Sequence, residues 1–233
     1  MAVPNVARPI LAGVNKPVVL FDLDGTLVDS EPGILASHRH TLATFGLEAD
    51  EAAVRRQIGP GLRQALVGLG VPEGRAEDAV AVYRSYYAAT GIYQSRLYDG
   101  IAAMLRAVQA AGATLCVATS KLATFADQVL VHFGISQYFE VIAGSTPDGR
   151  RDDKGAIIAY ALGLLGRPVP ETVWMVGDTA WDIRGALQNG ARPIGVTWGY
   201  GAEASLRGAG AETVVASPPE LAAMFGPGGS ACC

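Results

Sequence analysis

Short apolar runs recur along the chain, separated by stretches whose apolar positions fall at helical spacing. Residues 17–21 (PVVLF), 114–118 (TLCVA), 139–143 (FEVIA), 172–176 (TVWMV) and 193–197 (PIGVT) read as buried strands, and residues 213–216 (TVVA) as a candidate edge strand. Each run is apolar nearly throughout rather than at alternate positions, as parallel strands must be when helices cover both faces of their sheet. Residues 101–111, 125–133, 154–165 and 180–189 read as helices between them. In the first, Ile101, Met104, Leu105 and Val108 fall on one face and Gly112 stops the helix, while Gly190 stops the last. Strands alternating with helices imply a doubly wound parallel α/β sheet.

One interval breaks this rhythm. About 90 residues separate Asp22 from the second strand, whereas a crossover needs only about a dozen and the helix at Ile101 supplies it. Residues 30–98 are therefore surplus, and their pattern is helical: Leu35, Leu42 and Phe45, then Val54 and Ile58, then Leu62, Leu66 and Leu69, then Val80, Val82 and Tyr83 onward to Tyr87. Gly59-Pro60-Gly61 and Val71-Pro72 punctuate it. The expected organisation is an α/β core from residues 17–29 and 99–225, a small helical domain from residues 30–98, and loose termini at 1–16 and 226–233.

Composition narrows the class. Half of the 233 residues are hydrophobic, enough for a sizeable core without staples. The net charge is −4, the pI is about 5.4, and basic residues form no run, which argues against nucleic acid as a partner. Cys116, Cys232 and Cys233 form neither a disulfide framework nor a zinc spacing, and a reducing, cytoplasmic setting fits them. The longest apolar runs are strand-length, so no membrane span is expected, and residues 1–16 do not read as a signal peptide. His38, His40 and His132 have no metal or triad partners in the sequence and read as structural or surface groups.

The candidate chemistry gathers where strands end. Asp22-Leu23-Asp24-Gly25-Thr26 follows the first strand, and Gly177-Asp178-Thr179-Ala180-Trp181-Asp182 follows the fourth. Open parallel sheets bind ligands at the carboxyl ends of their strands. Two carboxylate clusters there suit a hard cation such as Mg2+, which takes oxygen ligands; taken singly, either cluster also suits a helix cap. Thr119-Ser120-Lys121 follows the second strand, where hydroxyls and backbone N–H groups at a helix start either bind a phosphate or cap the helix. Lys154 opens a helix against its dipole, so a negative partner explains it better than solvent does. Asp22 and Asp24, two residues apart, face one site if the chain stays extended.

In this order, Asp22-Leu23-Asp24-Gly25-Thr26, Thr119, Lys154 and Gly177-Asp178 with Asp182 resemble the haloacid-dehalogenase-like hydrolase superfamily, in its phosphoglycolate-phosphatase-like branch with a helical cap after the first strand. The likeness spans roughly residues 17–225. It implies a sheet of order 5-4-1-2-3 with Asp22 between Thr119 and Asp178. It implies that Asp22 attacks phosphorus to form an aspartyl phosphate, and that Asp24 protonates the leaving oxygen and then activates water. It further implies that the Asp22 carboxylate, the Asp24 backbone carbonyl and Asp178 bind Mg2+ with Asp182 in support, and that Thr119, Ser120 and Lys154 hold the phosphoryl oxygens. The implied activity is Mg2+-dependent hydrolysis of a small phosphorylated metabolite. These roles agree with the physics. A cation and Lys154 offset the repulsion between phosphate and a carboxylate nucleophile, and a covalent intermediate splits one displacement into two steps of opposite proton demand.

Related branches resemble the chain less well. Dehalogenases lack the second aspartate, and the phosphonate-cleaving branch replaces it, whereas Asp24 is present here. The sugar-phosphate mutase branch carries a cap histidine where this chain has Ile34, and an acidic residue where it has Gly177. Both departures favour hydrolysis, leaving a mutase or a non-catalytic phosphometabolite-binding module as alternatives. Gly155 stands where the family's lysine is often followed by proline, which leaves Arg150 or Arg151 as a substitute for Lys154. Residues 58–63 resemble the cap loop that reaches over the site, so Arg63 either contacts the leaving group or is a surface arginine. Tyr83, Tyr86, Tyr87 and Tyr93 read as cap core and surface. Phosphoglycolate, a pentose or hexose phosphate, a nucleotide, pyrophosphate and a phosphosugar on a larger metabolite are all compatible substrates, and the oligomeric state has no signature.

Overall fold

The computed structural model describes residues 16–226 except 49, 59 and 60. The expected loose ends, with Cys232 and Cys233, and the Gly59-Pro60 breaker lie outside the described residues, apart from Lys16 and Gly226 at the edges. The strands are β1 (Val18–Phe21), β2 (Val28–Asp29), β3 (Arg96–Leu97), β4 (Thr114–Leu122), β5 (Phe139–Ser145), β6 (Val173–Gly177), β7 (Arg192–Val196) and β8 (Thr213–Val215). The helices are α1 (Glu31–Thr44), α2 (Glu51–Arg55), α3 (Leu62–Gly68), α4 (Ala76–Ala89), α5 (Ile101–Ala110), α6 (Ala123–His132), α7 (Lys154–Leu164), α8 (Ala180–Gln188), α9 (Glu203–Gly208) and α10 (Pro218–Phe225).

Six strands form one parallel sheet in the order β5-β4-β1-β6-β7-β8. The five strands expected from the sequence stand in the expected order. The candidate edge strand is present as β8, which pairs with β7 as a sixth strand beyond the expected order and buries Val215 at the edge. Alternate side chains of each strand enter opposite layers. Val19 and Phe21 pack in the layer that holds Met104, Leu105 and Leu221, whereas Val18 and Leu20 pack with Ile157 and Ile158. Both faces are dry, which is why the strands are apolar at every position.

Residues between β2 and β3 form α1 to α4. The chain leaves and re-enters the sheet region side by side, because β2 and β3 pair antiparallel and Arg96 Nε lies 3.0 Å from Asp29 Oδ2. Pro32 and Glu31 in the first turn of α1 suit a helix start in backbone angle and in charge. Helix α1 packs along α4, and Leu35, Leu42, Val80 and Tyr87 join the same apolar cluster as the sheet face beneath them. Gly33 lets α1 approach the chain at Gly91: a Cβ at Gly33 would sit 2.1 Å from the Gly91 carbonyl oxygen.

That contact is with backbone and has no flexible neighbour to yield. Gly33→Ala is expected to destabilise the fold by about 1–3 kcal/mol in urea unfolding, the range for overpacking. Gly74→Ala, with nothing within 4 Å of the added Cβ, is expected to change stability by less than about 0.5 kcal/mol.

Candidate active site

The β1 ladder runs one bond past the strand, since Asp22 N–H donates to Val176 O at 2.9 Å. The chain then turns tightly: the Leu23 carbonyl accepts from the N–H groups of Thr26, Leu27 and Val28, and Gly25 takes a φ of +82° that favours glycine. Asp22 is thus fixed at the carboxyl end of the central strand, 7% exposed, and Asp24 lines the same cavity as Asp22. Asp24 accepts from Lys121 Nζ through both oxygens at 2.8 Å and from Ser30 Oγ.

Strand β4 runs four residues further than its apolar core suggests. Its register against β5 slips between Ala118 and Leu122, a bulge of the kind that re-aims side chains at a strand end. Helix α6 starts at Ala123, so Thr119 and Ser120 are not at its N-terminus as expected but on the strand end. Buried Thr119 Oγ1 accepts from Lys121 N–H at 3.2 Å, and Lys121 lies with its Nζ 4.5 Å from the Tyr87 ring centroid.

Beyond β6, Asp178 accepts from Thr26 Oγ1 at 3.1 Å and from Tyr200 N–H at 2.8 Å. Asp182 closes a capping box on α8 through Thr179, so the sequence's two explanations of this aspartate, cap and site, hold together in one residue. Its other oxygen lies 2.7 Å from Lys154 Nζ, which also sits 2.9 Å from Asp22 Oδ1 and donates to Ala118 O at 3.1 Å. Gly177 is dictated by this packing, because a Cβ there would lie 2.3 Å from the Asp182 side chain. Arg150 faces solvent beside Asp148, and Arg151 donates to Gly144 O and stacks on Tyr160. Neither takes the place of Lys154, although Gly155 follows it.

Asp22, Asp178 and Asp182 each offer one oxygen within 4.8 Å of the others, all buried. With Asp24 they make four carboxylates against two lysines, Lys121 and Lys154. Burial raises the Asp22 pKa to about 6 against the pull of Lys154, and burial followed by Asp182 and Asp22 raises Asp178. Burial alone would lower Lys154, but Asp182 and Asp22 outweigh it and hold the ammonium charged. The excess of two negative charges on oxygen donors fits one hard divalent cation.

A cavity of about 110 Å³ opens over these groups. Asp22, Asp24, Thr119, Ser120, Lys121 and Lys154 form its floor, and Ile34, His38, Ile58, Leu62, Tyr83 and Tyr87 from α1 to α4 and their connections roof it. Arg63 is not brought here. Its guanidinium pairs with Glu73 at 2.8 Å and Glu77 at 3.0 Å, outside the cavity lining. Tyr86 stacks on His40, and Tyr93 is exposed beside His132.

The haloacid dehalogenase-like hydrolase family model matches residues 19–196. The chain belongs to the haloacid dehalogenase-like hydrolases. Within them it falls in the phosphoglycolate-phosphatase-like branch: it is 33% identical to phosphoglycolate phosphatase of Aquifex aeolicus over 78% of this chain and 85% of that one. It is 41% identical to a 5'-nucleotidase of Pseudomonas aeruginosa over 84% and 89%. It is 44% identical to tyrosine-protein kinase PtkA of Mycobacterium tuberculosis over 81% of this chain, and the match spans 65% of that relative's length. Among solved structures it superposes on a predicted phosphatase from Clostridium acetobutylicum with a TM-score of 0.85 at 38% identity, covering 90% and 97% of the two chains.

Three residues of this hydrolase site escape sequence reasoning. Lys121 was visible beside Thr119 and Ser120, but its partner Asp24 lies 97 positions away. Ser30 and Tyr200 meet across 170 positions, where Tyr200 Oη accepts from Ser30 N–H at 2.9 Å and Tyr200 N–H holds Asp178. No local pattern marks either one.

The raised Asp22 pKa has a definite sign. The folded state favours protonated Asp22, so ionisation costs stability from about pH 4 upward, with the full cost present above about pH 6. In chelator, Asp22→Asn is expected to gain stability relative to wild type as pH rises from 4 to 6.5, by about 2–3 kcal/mol at about 1.4 kcal/mol per pKa unit. A stability difference that stays flat across this range contradicts the charge assignment.

Proposed function

We propose that the chain is a Mg2+-dependent phosphomonoester hydrolase that acts on a small phosphorylated metabolite through an aspartyl phosphate on Asp22. Membership of this hydrolase family and the phosphatase relatives support the class. The observation that carries the mechanism is the clustering of Asp22 with Lys154, Asp178 and Asp182 at the floor of a cavity that Asp24 also lines.

In this reading Asp22, Asp178 and the Asp24 backbone carbonyl hold the cation, which supplies charge neutralisation for the phosphoryl oxygens. Lys154 screens the approach of an anionic ester to the Asp22 carboxylate, and Thr119 and Ser120 orient the transferring group. Asp22 forms the bond to phosphorus while the bond to the ester oxygen breaks and Asp24 gives that oxygen its proton. Asp24 then takes a proton from water as the water attacks phosphorus, which releases phosphate and restores Asp22. Asp182 positions Lys154 and has no contact with the ester.

Residues 30–98 serve as the cap domain on a core of residues 17–29 and 99–225; the narrow β2–β3 neck and the roof they form support this division. Ile34 and Gly177 stand where the mutase branch carries a histidine and an acidic residue, which favours net hydrolysis over a mutase reaction. Cys116, a buried free thiol, accords with a cytoplasmic setting, and no helix among the described residues is long and apolar enough to cross a membrane.

Acid quenching during turnover is expected to trap one phosphate on the peptide bearing Asp22, located by mass spectrometry. Asp22→Asn should abolish both trapping and turnover while its circular dichroism stays native. Turnover near the wild-type rate, with deamidation excluded, contradicts the nucleophile assignment.

A further inference from the structure

The floor of the cavity treats every phosphate monoester alike, so selection falls to the roof. The roof, together with Phe125 of α6 beside it, is apolar and aromatic where a leaving group would lie. Tyr87 and Phe125 meet with ring centroids 5.4 Å apart and planes tilted by 49°, and Tyr83 runs parallel to Tyr87 at 5.9 Å. Ile34, Ile58 and Leu62 complete this wall. The aromatic surface begins beside the reaction centre, since Lys121 Nζ is 2.8 Å from both Asp24 oxygens and 4.5 Å from the Tyr87 ring centroid. If Asp24 serves the leaving oxygen, as proposed above, the atoms bonded to that oxygen lie next to Lys121 and the aromatic side chains it packs on.

Cationic partners for an anionic leaving group are scarce on this wall, whose neutral polar side chains are those of Gln57, His38, Tyr83 and Tyr87. Lys121 is committed to Asp24, and Lys154 to Asp22 and Asp182. Arg84 at the rim donates to the Pro147 carbonyl, and Arg63 is held outside by Glu73 and Glu77. A carboxylate or a row of sugar hydroxyls would be buried here with few hydrogen bonds, which is costly. A flat apolar ring packs against Phe125 and the aliphatic side chains without that loss. His38 Nδ1 and Tyr87 Oη, both buried and without a hydrogen-bond partner, leave two points for a polar substituent on such a ring.

We infer that this cavity selects phosphomonoesters whose leaving group carries a planar aromatic ring within one atom of the ester oxygen, in preference to phosphoglycolate and sugar phosphates. The inference rests on the phosphatase reading, and its test separates the two. In the presence of Mg2+, dissociation constants are measured for phenylphosphonate and methylphosphonate, which bind without being hydrolysed, and kcat/KM for benzyl phosphate, ethyl phosphate and phosphoglycolate. Benzyl and ethyl esters have leaving groups of similar reactivity, so a preference between them reports the cavity. Phenylphosphonate is expected to bind at least about tenfold more tightly than methylphosphonate, and benzyl phosphate to exceed both other esters by at least about tenfold in kcat/KM. Phe125→Leu is expected to reduce the phosphonate ratio at least about threefold. Equal phosphonate affinities overturn the inference, as does phosphoglycolate turned over as well as benzyl phosphate, an outcome that leaves the phosphatase reading standing. No turnover of any ester overturns the phosphatase reading, and the wild-type phosphonate ratio then decides the nature of the cavity by itself.

Discussion

The site is organised around an excess of buried negative charge. Asp22, Asp178 and Asp182 crowd one small volume, and Lys154, itself buried, is the cation that touches two of them. The same ammonium donates to Ala118, so it ties the end of β4 to the end of β1 and to the first turn of α8. Removing Lys154 would leave unpaired carboxylates in a dry interior, which costs several kcal/mol. The neighbouring glycines follow from this crowding. Gly25, Gly177 and Gly199 each stand where a Cβ would strike Asp178 or Asp182. Lysine satisfies only part of the charge, and burial, followed by the neighbouring carboxylates, raises Asp22 and Asp178.

Floor and roof divide the work between two parts of the chain. The sheet supplies ionic groups on rigid strand ends, held by ladder bonds and by the loop bearing Trp198 and Tyr200, where Trp198 Nε1 donates to Thr26 O at 2.9 Å. The helical segment supplies apolar and aromatic surface, carried on α1 and α4, which pack on each other and reach the sheet only through the β2–β3 neck and side-chain contacts.

What the sequence made legible follows from the range of each signal. The strands showed because burial on both faces imposes a local composition, and the inserted segment showed because a crossover is far shorter than the interval it occupies. Asp22, Lys154, Asp178 and Asp182 showed because each sits at a strand end or helix start. The end of β4 was misjudged because a bulge, not a helix cap, places Thr119 and Ser120. Arg63 drew attention by its place after the Gly59-Pro60-Gly61 turn, yet Glu73 and Glu77 claim it from the following elements. Lys121, Ser30 and Tyr200 depend on partners far away in sequence, and such pairings appear only when the chain is folded.

The central claim is that two uncompensated carboxylate charges make this a site for one divalent cation. Equilibrium dialysis of Mg2+ at neutral pH tests it most directly. The account predicts saturation at one ion per chain, with Asp178→Asn weakening the affinity at least about tenfold, the usual scale for losing a ligand-sphere contact. Binding absent at millimolar Mg2+, or an isotherm unchanged by Asp178→Asn, would contradict it.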